Sequence, residues 1–231
     1  MTDRNAVRTA LVLMLKAPQR SKRRLVPVLG DAAATETARR LAACALEDLA
    51  AWPGPTWLAH AGHGDVDGLG DAAAAHALVP QGEGNLGARI ARVEAALRGQ
   101  GLAYQIFVGI DCPELDGAYL ARAAAALDEH DVVLGPAADG GVVLMGTRRP
   151  WPPLEPLPWS THRLGAELAA ACRRAGASVA ALETKADIDT VEDLARLRRA
   201  LSEDPRPARR ALCRWLGEIE RRIEETPWRS I

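Results

Sequence analysis

Short apolar runs alternate along this chain with segments whose apolar residues recur at helical spacing. Thr9–Lys16 (TALVLMLK) is rich in Leu and Val and is closed by Lys16-Ala17-Pro18, the pattern of a strand buried on both faces. Asp31 stands where an N-cap belongs, and the following DAAATETARRLAACALEDLA predicts a helix to about Ala50, ended by Pro53-Gly54-Pro55. Thr56–His60 and Ala77–Pro80 read as the second and third strands. Asn85 caps a helix to about Arg98, and Tyr104–Ile110 (YQIFVGI) is the most strand-like run of all. It ends at Asp111-Cys112-Pro113, after which a helix is expected from Asp116 to Asp128. Asp131–Leu134 and Val142–Gly146 are further strand candidates on either side of a glycine-rich turn. The proline-rich Arg149–Ser160 predicts a surface loop. A helix over His162–Arg174, a strand over Ser178–Leu182 and a helix from Thr190 complete the pattern.

Strands alternating with helices predict an α/β protein: a single GT-A-like, Rossmann-like domain, with a mostly parallel central sheet and helices on both faces. Residues 1–203 make up this domain and 204–231 an appendage. Within the appendage, Ala208–Glu225 is an amphipathic helix with Leu212, Trp215, Leu216, Ile219 and Ile223 on one face, suited to packing on the domain or, alternatively, to dimerisation or a membrane surface. In such folds ligands gather beyond the carboxyl ends of the strands. Lys16–Arg24, Asp111–Pro113 and Asp187–Asp189 all fall there.

Composition narrows the partners. The 231 residues carry 29 Lys and Arg against 30 Asp and Glu, so no global field favours nucleic acid or an anionic membrane, and phosphate must be captured locally. No apolar run approaches the roughly 20 residues of a membrane span. The N-terminus leads straight into the first strand without a signal-peptide layout, and the four cysteines, Cys44, Cys112, Cys172 and Cys213, have no CxxC spacing. A cytoplasmic protein with reduced thiols is the expectation.

Lys16–Arg24 (KAPQRSKRR) packs five cations into nine residues, enough to neutralise a diphosphate or triphosphate; the alternative is a solvated basic loop. Asp111 follows a hydrophobic strand directly. A carboxylate there must be solvated, paired or metal-bound, and hard oxygen ligation favours Mg²⁺ or Mn²⁺. Asp187 and Asp189 repeat the arrangement before a helix, where Asp189 or Thr190 is also an ordinary N-cap. Gly135–Gly146 is neither a P-loop nor a dinucleotide fingerprint. Its glycines permit a tight turn or close backbone approach.

Taken in order, these segments resemble the bacterial domain-of-unknown-function 2064 family, a branch of the GT-A-like nucleotide-diphospho-sugar transferase superfamily that includes arsenosugar-biosynthesis-type glycosyltransferases and is similar to 2-phospholactate guanylyltransferases. The landmarks are Lys16-Ala17-Pro18 with Lys22-Arg23-Arg24-Leu25, then Gln81–Arg89 (QGEGNLGAR), Gly109-Ile110-Asp111-Cys112-Pro113, Gly135-Pro136 with Asp139-Gly140-Gly141, Trp159-Ser160-Thr161 and Asp187–Leu194. The first motif is two residues shorter than the family's usual K-A-P-x-P-G-x-x-K-T-R-L and lacks its glycine.

The resemblance implies a metal-dependent glycosyltransferase acting on a nucleotide-diphospho-sugar donor and a small-molecule acceptor. Asp111, Asp187 and Asp189 would hold Mg²⁺ or Mn²⁺, with Asp111 and Asp139 the catalytic candidates. Lys16, Lys22, Arg24, Gln81, Gly84, Asn85 and Arg89 would bind the nucleotide and its phosphates. Gly140, Gly141, Ser160 and Thr161 would meet the transferred group or acceptor. The alternatives are a nucleotidyltransferase releasing pyrophosphate, which the lone aspartate of Asp-Cys-Pro suits, and a non-catalytic nucleotide-binding protein.

Overall fold

The structure is a computed structural model and describes residues 4–66, 69–188 and 190–225. Seven strands form one sheet: β1 (Ala10–Met14), β2 (Thr56–His60), β3 (Ala77–Pro80), β4 (Gln105–Val108), β5 (Val132–Pro136), β6 (Val142–Thr147) and β7 (Val179–Ala181). Their spatial order is β3-β2-β1-β4-β6-β5-β7, and every neighbour pair is parallel except those made by β6, which runs antiparallel to both β4 and β5. The described helices are α1 (Arg4–Arg8), α2 (Val26–Ala51), α3 (Asp71–Ala74), α4 (Leu86–Gly99), α5 (Gly117–Glu129), α6 (Leu164–Arg174), α7 (Val191–Ala200) and α8 (Pro207–Glu225).

The all-apolar character of the central strands follows from two covered faces. In β1, Leu11 and Leu13 enter one core while Val12 enters the other; in β4, Ile106 and Val108 are separated from Phe107 in the same way. Successive side chains point to opposite faces, so a strand between two helical layers needs apolar residues at every position. One layer is built on α2, α5, α7 and α8, through residues such as Leu41, Leu127, Leu197 and Leu216, and the other on α4 and α6, through Val93 and Leu168.

Several boundaries are set by caps the chain carries at the right places. Asn85 accepts from the Ala88 amide at 3.0 Å and starts α4; Asp116 accepts from the Tyr119 amide at 2.6 Å and starts α5. Thr190 and Asp193 form a reciprocal capping box at the start of α7. Two expectations need correction. The N-terminus does not lead straight into β1: Arg4–Arg8 first makes the short helix α1. The helix expected from Asp31 begins at Val26 and is interrupted at Gly30, whose φ of 77° is outside the helical region and open to glycine without strain. Asp31 instead meets Arg23 at 2.5 Å.

The amphipathic segment forms α8 and lies against α2, with Leu212, Leu216 and Ile219 at 3% exposure or less. The apolar face that a dimer or membrane would need is therefore turned into the domain. Among the described residues, no helix is long and apolar enough to cross a membrane.

Candidate functional site

In this sheet, connections from β1 run outward to β2 and β3, and the chain then crosses back to β4 on the other side of β1. Neighbouring loops leave the β1 and β4 ends in opposite directions, which opens a crevice at that point. A cleft of about 750 Å³ lies there, lined by Leu15 and Lys16 after β1, by Gly109, Ile110 and Asp111 after β4, and by parts of the 81–90 and 159–164 segments. Six cations line it, Lys16, Arg20, Lys22, Arg23, Arg24 and Arg89, and Asp111 is the one acid among its described lining residues. Near neutrality over the whole chain thus conceals a strongly positive crevice.

The basic loop owes its shape to two short 3₁₀ turns, Pro18–Arg20 and Arg23–Leu25, hinged at Lys22, whose φ of 51° is left-handed. The guanidinium of Arg20 is tied to Asp65 at 3.0 Å. Asp65 itself is almost fully buried and accepts from the amides of Ala61 and Gly62 at 2.7 and 3.0 Å, so its charge anchors the loop after β2 to the basic loop. Lys22 reaches inward, with its ammonium 2.5 Å from Asp111 Oδ1 and donating to the carbonyl of Ile188. The Ile188 amide in turn donates to the Asp111 carbonyl at 3.0 Å. That exchange brings the 187–188 segment beside Asp111, joining two of the motifs that lie far apart in sequence. Asp189 lies outside the described residues.

Other sequence candidates divide clearly. Gly84, Arg89 and Ser160 line the cleft with the cations. Gln81 also lines it, but its amide nitrogen donates to the carbonyls of Leu15 and Ala59 at 2.7 Å each, tying the ends of β1 and β2 together. Asn85, Asp139, Gly140, Gly141 and Thr161 are not among the described residues lining the cleft. Asn85 is the α4 cap and donates to the Glu155 carbonyl at 2.7 Å. Asp139 accepts from the Gly141 amide at 2.7 Å, closing the turn between β5 and β6. Gly140 has φ 89°, and a Cβ there would stand 2.0 Å from the His162 carbonyl oxygen, so its lack of a side chain lets the turn dock on the start of α6. Thr161 donates to the Pro158 carbonyl at 2.8 Å.

Phe107, Val142 and Met145 add an apolar lining to the cleft beside Trp159 of the Trp159-Ser160-Thr161 motif, and Trp159 is held by its indole N–H on the Leu154 carbonyl at 2.8 Å. Gly87 is needed beneath it, because a Cβ at that position would meet the Leu154 carbonyl at 2.4 Å and the Trp159 indole nitrogen at 2.5 Å. Phe107 and Met145 are almost fully buried, and Val142 is half-buried. Cys112, next to Asp111, is buried, and burial pushes its thiol up to about 12, so it is not a nucleophile at neutral pH.

For a divalent cation, the donor chemistry fits in kind. Asp111 presents a half-exposed carboxylate in the cleft, the Ile188 amide is hydrogen-bonded to the Asp111 main-chain carbonyl, and a positive group, the Lys22 ammonium, already sits against the Asp111 carboxylate and the Ile188 carbonyl. Among the described residues, no group of three or more His, Cys, Asp or Glu side chains is placed to hold a metal ion.

The doubly wound α/β sheet with its crevice at the switch point has a GT-A-like, Rossmann-like fold, and a similar fold occurs among solved structures. A crystal structure from Desulfovibrio desulfuricans, provisionally assigned as a nucleotide-diphospho-sugar transferase, is similar over 94% of this chain and 98% of its own, with a TM-score of 0.83 and 24% identity. More distant likenesses are CMP:2-keto-3-deoxy-manno-octonic acid synthetase complexed with CTP (TM-score 0.48, 10% identity, 85% of this chain and 99% of that one) and Rv0371c of Mycobacterium tuberculosis in complex with manganese (TM-score 0.44, 19% identity, 81% and 96%). The chain belongs to the DUF2064 family, described as an uncharacterized protein conserved in bacteria, whose pattern matches residues 45–161. No curated protein matches its sequence.

Proposed function

We propose that this chain is a metal-dependent transferase that binds a nucleotide-diphospho-sugar donor in the switch-point cleft and passes the sugar to a small-molecule acceptor. The observation that carries the reading is the charge of the cleft, whose described lining residues include six cations and one acid, Asp111. Breaking a sugar–diphosphate bond leaves negative charge on the departing nucleoside diphosphate. Fixed cations around that leaving group are worth most when they are already in place as the charge develops. Lys16, Lys22 and Arg24 take this part from the basic loop, and Arg89 from the opposite side. Asp111, with Asp187 and Asp189, would hold Mg²⁺ or Mn²⁺, which when bound supplies further charge neutralisation at the diphosphate. Ser160, with Trp159 and Val142 beside it in the cleft lining, would meet the transferred group or acceptor. Asp139 is engaged in its own turn and is given no proton-transfer role.

A second reading is nucleotidyl transfer with release of pyrophosphate. Two observations favour it: the cleft holds one acid of an Asp-Cys-Pro pattern, and six cations match a triphosphate as well as a diphosphate. Both readings place Asp111 on the metal. In calorimetry with a nucleoside diphosphate chosen by a thermal-shift panel, Asp111→Asn is expected to abolish the Mn²⁺-dependent part of binding while the fold survives; equal binding removes Asp111 from the metal site. Products separate the readings. Free nucleoside diphosphate from a sugar donor supports the first, and pyrophosphate from a triphosphate replaces it with the second. Tight binding without turnover of any donor leaves a nucleotide-binding protein.

A further inference from the structure

Lys22 differs from the other cations of the cleft in being buried. Its side chain is 3% exposed, while that of its partner Asp111 is 54% exposed, so the pair is an inward-pointing ammonium beneath a carboxylate that faces the cleft. The left-handed backbone at Lys22, uncommon for a residue with a Cβ, directs the side chain there between the two 3₁₀ turns. Its ammonium contacts Asp111 Oδ1 and the Ile188 carbonyl, the two segments to which the proposed function assigns the metal.

A divalent ion held by Asp111 next to that ammonium would be repelled by it across a few ångströms, and both would draw on the same carboxylate. A diphosphate entering the cleft changes the balance, since it offers Lys22 another anion and offers the metal further oxygen ligands. We propose that Lys22 is the resident cation of Asp111: it holds the carboxylate while the cleft is empty and transfers to a phosphate when the ligand arrives, releasing Asp111 to the metal. No bond is made or broken in this exchange. It rests on the metal-site reading above and adds an order to it, with metal alone binding weakly and phosphate admitting it.

The exchange predicts that one substitution moves two affinities in opposite directions. Bound Mn²⁺ is counted by loss of the free-ion paramagnetic resonance signal, without nucleotide, and inorganic pyrophosphate binding is measured by calorimetry in chelator. Lys22→Gln is expected to tighten Mn²⁺ about tenfold or more and to weaken pyrophosphate by a similar factor. Lys16→Gln removes a charge from the same cleft but not from Asp111, and is expected to weaken pyrophosphate while leaving Mn²⁺ within about twofold. Lys22→Met is the second variant should Gln fail to fold. Mn²⁺ affinity unchanged or weaker in the Lys22 variants overturns the exchange, as does an equal gain in Lys16→Gln. If Asp111→Asn retains wild-type Mn²⁺ binding, the metal-site reading itself falls. If Asp111→Asn loses Mn²⁺ and the Lys22 variants gain none, only the exchange is lost.

Discussion

Replacing Arg209 by Met tests whether α8 is an integral support of the site. Arg209 is fully buried between α8, α2 and the loop that follows Asp111. Its guanidinium meets Asp48 Oδ2 at 2.5 Å and Glu47 Oε2 at 3.0 Å, and it donates to the carbonyls of Pro113 and Leu115 at 3.2 Å each and to that of Cys44. Met fills similar volume but donates nothing, leaving two carboxylates without this partner and three carbonyls without this donor. Asp48 keeps an ion pair to Arg206 at 3.0 Å, which limits the damage. Breaking a buried pair by removing one partner costs about 3–5 kcal/mol, and we take about 4. Total stabilities of such domains are about 5–15 kcal/mol, so the loss is large, equivalent to a fall in Tm of roughly 10 °C. Burial already lifts the Asp48 carboxyl above its ordinary range against the pull of Arg209, and removing Arg209 lifts it further. A folded-state pKa raised above the unfolded value makes stability fall as pH rises through the interval between them, so the deficit of the variant grows with pH from its value near pH 4. Urea unfolding of both proteins at several pH values is the assay. A loss under about 1 kcal/mol at neutral pH would refute the reasoning, as would a deficit that shrinks with rising pH.

Three further outcomes are expected. Gly140→Ala places a Cβ 2.0 Å from the His162 carbonyl at φ 89° and should lose at least about 2 kcal/mol in urea unfolding; a neutral result means that the turn does not dock on α6 as described. Asp131 is held down to about 2, chiefly by the Ser178 amide, with Arg148 and the Ser178 hydroxyl adding to it. Its contribution is present above its unfolded value of 3.8 and is lost as pH falls toward 2, so Asp131→Asn should lose less stability than wild type over that interval, and an equal drop in both counts against the assignment. Burial pushes the Cys44 and Cys112 thiols up to about 12 and that of Cys172 to about 11, whereas Cys213 is only half-buried. A thiol reagent at mildly alkaline pH should therefore label Cys213 first and the others on unfolding; early labelling of Cys112 would show the Asp111 loop to be loosely held.

The strands were legible because their apolar residues form short runs bounded by turn residues: Thr56–His60 and Ala77–Pro80 appear with the bounds those runs suggest. Asn85, Asp116 and Thr190 marked helix starts because a cap is a contact between residues three apart. Gly30 was less readable, since a glycine within a helical pattern does not show whether the chain bends there. The glycines at 140 and 141 left both a tight turn and close backbone approach open in sequence; Asp139 closes a turn, whose contact with His162 comes from a residue distant in the chain. Arg209 belongs to no motif of the sequence. Nothing local shows that Asp48, Pro113 and Leu115 converge on it.

By itself, then, the sequence determined the class of fold, the order of its elements and the chemical types at the site, because hydrophobic period, caps and runs of charge are properties of neighbouring residues. The tertiary structure decided which charges share a cleft, that the buried ammonium of Lys22 sits on Asp111, and that α8 closes onto the Asp111 loop. These depend on the strand order β3-β2-β1-β4 and on contacts between segments far apart in the chain, 166 residues for Lys22 and Ile188 and 178 for Thr37 and Trp215, where proximity is set by the whole sheet.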